Sequence, residues 1–157
     1  MLATSKLGTS LALAAGVLAF GLAAPATAQD NVLKIGVLGV MSGPAASWGL
    51  VNRYSAEATA AMYNEQGGVE IDGETYRIEI VSIDDKNDPK LAVSGAERLI
   101  HQGGIKYIIG PNVDTTAQSI VPVIEAGGAI SIPYAFSKQL YTPPRSNSIL
   151  GMIASYQ

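Results

Sequence analysis

Residues 32–40 are almost unbroken in apolar character, as a parallel strand buried on both faces requires. Met41-Ser42-Gly43-Pro44 ends that run. Leu50, Val51, Tyr54, Ala58, Ala61 and Met62 then recur at helical spacing, predicting a helix which Gly67-Gly68 stops. A short strand at 69–71 and the hairpin dipeptide Asp72-Gly73 lead into residues 76–83. There Ile78 and Ile80 alternate with Arg77 and Glu79, the half-buried pattern of a strand at a sheet edge. Asp88-Pro89 opens a second helix, with a capping carboxylate and proline at the first helical position. Ala92, Ala96, Leu99 and Ile100 mark its buried face, and Gly103-Gly104 ends it. A third strand at 106–109 is followed by the turn 110–116 and a helical pattern over 117–124, kinked at Pro122. Residues 129–133 form a fourth strand, 137–147 a polar loop and 149–153 a possible fifth strand.

This alternation of strand and helix predicts an α/β fold: right-handed crossovers and a parallel sheet with helices on both faces. In such a sheet the carboxyl ends of the strands share one edge, which is where ligands bind. The first strand is followed there by Ser42-Gly43-Pro44 and Trp48, and the second by Asp84 and Asp85. The third brings Asn112, Val113, Asp114 and Thr115, and the fourth Tyr134, Ala135 and Phe136. Apolar walls with a few placed polar groups are what a small-molecule cleft needs. Each residue also has a plainer role: Trp48 can plug the top of the first helix, Asp114 can serve as an N-cap, and Tyr134 and Phe136 can pack a corner. Their convergence on one edge favours the site.

Residues 1–28 stand apart. Lys6 precedes an apolar, Ala- and Leu-rich stretch, and Ala26-Thr27-Ala28 supplies a small-x-small cleavage pattern, so a secretory signal is expected to be removed after Ala28. That leaves residues 29–157, enough for one domain with a core of its own. The chain has no cysteine, so this core holds without disulfides. A net charge of −3 with no basic cluster argues against nucleic acid or an anionic membrane as partner.

Catalytic chemistry is poorly represented. There is no thiolate nucleophile, no G-x-S-x-G elbow, no phosphate-binding glycine loop and no zinc spacing, and His101 lies near a helix end away from the ligand edge. Asp84, Asp85 and Asp88 form a loose acidic group without the spacing of a divalent-cation loop. The expectation is no cofactor and no metal.

An ordered series of motifs resembles one family. It comprises Lys34-Ile35-Gly36-Val37 with Met41-Ser42-Gly43-Pro44, then Asn64-Glu65-Gln66-Gly67-Gly68-Val69, then Asp84-Asp85-Lys86-Asn87-Asp88-Pro89 with the helix to Leu99-Ile100, and the strand before Gly110. The series resembles the amino-terminal lobe of periplasmic substrate-binding proteins of branched-chain amino acid (leucine/isoleucine/valine-type) ABC transporters. The resemblance implies two α/β lobes joined by a hinge, with this chain supplying the first. The chain reads as truncated before or at that hinge. It further implies that the ligand carboxylate and amine are held at the turns matching Val113–Thr115 and Tyr134–Phe136, beside the aromatic Trp48. Asp114 replaces a typical carboxylate-binding serine and Phe136 a typical ligand-binding threonine. A negative Asp114 repels a ligand carboxylate, so a donor or cationic group at Asp114 is expected, with an apolar or aromatic body against Trp48, Tyr134 and Phe136.

The function expected is therefore a non-catalytic periplasmic receptor that delivers a small organic ligand to an inner-membrane permease. A ligand-sensing domain of a signalling system shares the fold but normally lacks an export signal, and an exported α/β hydrolase lacks its nucleophile.

Overall fold

The computed structural model describes residues 31–141. The signal sequence and cleavage site expected from the sequence, and the strand expected at 149–153, lie outside them. Among the described residues, five strands form one sheet in the order β2-β3-β1-β4-β5: β1 (Asn31–Gly39), β2 (Val69–Ile71), β3 (Glu74–Asp84), β4 (Tyr107–Ile109) and β5 (Ile130–Ile132). β1 runs parallel to both β3 and β4, β4 runs parallel to β5, and only the hairpin strand β2 is antiparallel.

Four α-helices of the described residues cover the sheet: α1 (Ala46–Glu65), α2 (Pro89–Glu97), α3 (Asp114–Ser119) and α4 (Val121–Ala126). Alternation along β1 puts Gly36 and Leu38 on one face. There they meet α2, the wide π-type turn Arg98–Gln102 that continues it, α3 and α4. Leu38, Leu99, Ile100, Ile105, Ile108, Ile120 and Ile124 form the buried core on this side. Gly95 lets α2 approach closely, since a Cβ there would lie 2.8 Å from a Leu38 methyl. Asp88 caps α2 as its sequence predicts, accepting the N–H groups of Lys90 and Leu91.

α1 lies on the other face, against β3 and β1. Its buried residues are Gly49, Ala56 and Ala60, not the stripe Leu50, Val51, Tyr54, Ala58, Ala61 and Met62. Val51 is 63% exposed and Tyr54 57%. The reason is proximity: Gly49 N–H donates to the Val40 carbonyl at 3.0 Å, and a Cβ on Gly49 would sit 2.6 Å from that carbonyl carbon. A helix seated so closely presents small side chains to the sheet, leaving its larger ones outside. The rest of this face is less covered, with Leu33, Ile35, Tyr107, Ile109, Ile130 and Ile132 lining an open apolar hollow.

Three further expectations are refined. β3 is the outermost parallel strand but not the sheet edge, because β2 pairs with its first residues, Glu74 to Tyr76. Beyond β2, Asn64 of α1 takes over: its amide donates to the Ile78 carbonyl at 2.9 Å and accepts from the Ile78 N–H at 2.8 Å. The helix expected over 117–124 begins at Asp114 and is divided at Ile120, so Pro122 opens a separate helix instead of kinking one. The loop after Ser137 contains a 3₁₀ turn, Lys138–Leu140, which buries Leu140.

Candidate functional site

The chain leaves β1 through α1 towards β3 on one side, and leaves β4 through α3 and α4 towards β5 on the other. β1 and β4 are neighbours. Adjacent parallel strands whose connections depart in opposite directions open a crevice at their carboxyl ends. A cleft of about 380 Å³ lies there, lined by Ser47, Trp48, Val51, Asn52, Asn112 and Tyr134. Its size suits a small organic molecule.

Aromatic rings make its wall. Trp48, 54% exposed, stands 5.7 Å from the Tyr134 ring at a 35° tilt, and Phe136 meets Tyr134 edge-on at 5.4 Å. Such tilted and edge-on pairs leave ring faces available to a third ring. Asn112 fastens the β4 turn to α1 by donating from Nδ2 to the Trp48 carbonyl at 3.2 Å. Its Oδ1 is buried and has no hydrogen-bond partner among the described residues. Gly39 makes room for that oxygen, because any Cβ there would collide with it. The Tyr134 N–H donates to the Pro111 carbonyl at 2.9 Å, joining the turns after β4 and β5.

The carboxylates of this edge are all engaged by backbone. Asp84 Oδ1 accepts the Met41 and Lys86 N–H groups at 2.8 and 2.9 Å, tying the end of β3 to the turn after β1. Desolvation works to raise its pKa, but hydrogen bonds from Ser42 and these two amides outweigh it and hold the group below its ordinary value. Asp85 is 1% exposed; its Oδ1 accepts the Asn87 N–H at 2.8 Å, while Oδ2 has no partner among the described residues. Burial pushes this carboxyl up, the Asn87 N–H opposes it, and the charges of Asp84 and Asp88 add to the rise. Asp114 is not the N-cap that its position suggests. Val113 is the N-cap residue and makes no side-chain cap bond, while Asp114 Oδ1 accepts the N–H groups of Phe136 at 2.6 Å and Ser137 at 2.9 Å. Asp84 and Asp114 thus each commit one oxygen to two backbone donors. Among the described residues no cluster of three or more His, Cys, Asp or Glu could hold a metal ion.

The raised Asp85 pKa has a pH consequence. Between the ordinary carboxylate value and Asp85's raised one, the folded chain binds more protons than the unfolded chain, so this group makes stability fall as pH rises through that window. Asp84 acts oppositely, its contribution being lost as pH falls through its lowered value. Asp85→Asn should therefore remove the decline in urea midpoint between the acidic end of the window and pH 7. A variant that declines as the wild type does would exclude Asp85 as the cause.

Of the residues expected at the site, Trp48, Asn112 and Tyr134 line the cleft, and Phe136 borders it through Tyr134. Thr115 is exposed and does not line the cleft, and Val113 is the N-cap residue of α3. Ala135 is 1% exposed and belongs to the core; its carbonyl accepts the Tyr141 hydroxyl at 2.6 Å. Asp114 contributes through its backbone partners, and Thr116 closes the same turn by donating to the Val113 carbonyl at 3.0 Å. Ser47, Val51 and Asn52 were not expected in the cleft. Val51 and Asn52 follow Trp48 at i+3 and i+4, the spacing that shares a helix face.

A family described as periplasmic binding protein matches residues 32–157. The Leu/Ile/Val-binding protein of Escherichia coli K12 is 35% identical over 130 residues, covering 82% of this chain and 34% of that protein. The Leu/Ile/Val/Thr-binding protein of Salmonella typhimurium is 36% identical over 129 residues, 82% of this chain and 33% of that protein. The chain thus spans about a third of the length of these curated relatives. In structure it resembles the branched-chain amino acid transporter substrate binding protein LivJ from Streptococcus pneumoniae in complex with isoleucine. The TM-score is 0.70 at 25% identity, over 80% of this chain and 34% of that one. A solute binding protein of an ABC transporter from Rhodopseudomonas palustris BisB5, in complex with 3,4-dihydroxy benzoic acid, shares the fold with a TM-score of 0.61 at 22% identity, over 79% of this chain and 32% of that one.

Proposed function

This chain belongs to the periplasmic binding protein family, and on that footing we propose that it is the amino-terminal ligand-binding lobe of an extracytoplasmic solute receptor. The receptor serves an ABC uptake transporter, reaches the periplasm by a signal cleaved after Ala28, and delivers its solute to an inner-membrane permease. It performs no chemistry on the solute. No helix among the described residues is long and apolar enough to cross a membrane.

One observation carries the reading: the cleft at the β1–β4 crevice, walled by Trp48 and Tyr134 and tied across by Asn112. A half-exposed tryptophan held beside a second ring is a costly arrangement for packing alone and a useful one for binding. The solute meets Trp48 and Tyr134 with an apolar or aromatic body, and a second lobe closing over this one completes the pocket.

The test is calorimetric titration of the protein carrying this chain with branched-chain amino acids, aromatic acids and aromatic cations. Trp48→Ala should weaken the bound solute ten- to a hundredfold, about 1.4 to 2.8 kcal/mol, with little change in thermal stability because the ring is half exposed. Unaltered affinity would move the site away from this cleft. Neighbouring permease and ATPase genes would favour uptake over sensing.

A further inference from the structure

Two successive backbone N–H groups, those of Phe136 and Ser137, point at one place at the ligand edge. Consecutive amides aimed together form an anion-binding concavity. Here the anion is already present: one oxygen of Asp114, from a turn 22 residues earlier in the chain, accepts both donors. We infer that Asp114 is a resident occupant of this anion seat and thereby a specificity-determining residue of the cleft. It excludes solutes that would anchor a carboxylate on those amides, and selects ones recognised through an uncharged or cationic body against the rings. The inference rests on the solute-receptor reading.

The seat is one side chain removed from the cleft wall, since Phe136 packs edge-on against Tyr134, which lines it. Its surroundings hold Asp114 in place. Thr116 closes the turn that carries it, Gln118 of α3 donates to the Ser137 hydroxyl at 2.7 Å, and the Tyr141 hydroxyl bonds the Ala135 carbonyl. Burial and the nearby Asp114 charge together raise the Tyr141 pKa. That hydroxyl therefore stays protonated and keeps donating at neutral pH. A carboxylate arriving from solution would have to displace Asp114 from two hydrogen bonds to a charged acceptor, each stronger than a neutral one, and then lie beside the displaced charge. Both requirements disfavour it.

The test uses the protein carrying this chain, with acetate as probe and the Phe136 and Ser137 amides followed by NMR. In the wild type these resonances should not respond to acetate at millimolar concentrations. In Asp114→Ala they should shift and saturate, and a solute with a free carboxylate, such as L-leucine, should gain at least tenfold in affinity. Asp114→Asn keeps an acceptor oxygen for both amides and should fold and stay unresponsive; Asp114→Ser, whose hydroxyl is too short to span both, should respond as the alanine variant does. An acetate response in the wild type overturns the inference, as does its absence from both the alanine and serine variants. If the wild type binds an amino acid through this seat, the receptor reading stands and the inference falls. If the seat opens in the variants while no solute binds any form, the receptor reading falls, and the specificity role of Asp114 falls with it.

Discussion

Gly110→Ala should destabilise the fold by at least about 3 kcal/mol, combining a left-handed backbone forced on alanine with overpacking against a neighbouring strand. Gly110 has φ +98°, and a Cβ built on it would fall inside the carbonyl oxygen of Leu38 and 3.1 Å from its carbonyl carbon. The obstacle is backbone in the central strand, so no side-chain rotation relieves it. Gly110 is also held from the other side: its N–H donates to the Ile132 carbonyl at 2.9 Å, and its carbonyl accepts the buried Ser131 hydroxyl at 2.6 Å. Moving β4 away from β1 would break that joint and widen the crevice in which Asn112 stands. Urea denaturation and solute titration should therefore fail together, with a lower midpoint and weaker binding. A midpoint equal to the wild type's would mean that the two strands can separate freely.

Asn64→Ala should cost about 2 to 4 kcal/mol, since it strips partners from a backbone donor and an acceptor that are both partly screened from water. β2 pairs with β3 only as far as Tyr76, and two residues on, the Asn64 carboxamide does for Ile78 what another strand would do. The signature is local as well as global. The Ile78 amide should exchange with solvent much faster in the variant, while core amides such as Ile108 follow the overall loss of stability. Unchanged exchange at Ile78 would show that water replaces Asn64 without cost.

Much of this architecture is legible along the chain because its causes are local. Asp88 and Pro89 start α2 through their own side chains and the next two amides, and the Asp72-Gly73 turn sets the β2–β3 hairpin. The α1 face is illegible for the opposite reason. Its contact with the sheet is made by the absence of side chains at Gly49, Ala56 and Ala60, while a hydrophobic pattern registers only their presence. Strand order is likewise unwritten, because nothing in residues 85–106 states that the chain passes behind β1 before laying down β4. That passage creates the crevice. Trp48, Asn112 and Tyr134 could be placed at one edge from the alternation alone, but the partners of Asp114 lie 22 and 23 residues downstream. A helix-start aspartate looks the same in sequence whether it caps its own helix or holds a distant turn.

The turns around the cleft are joined by single side chains: Asp84 links those after β3 and β1, Asn112 links β4's turn to α1, and Asp114 links it to the turn after β5. Four loops so fastened lose most of their conformational freedom when the chain folds, before any solute arrives. The entropy that a loose rim would surrender on binding is thus already spent. On the proposed function, what solute contacts contribute on this side goes into affinity and residence time, and the motion left to govern capture is that of the second lobe proposed to close over this one.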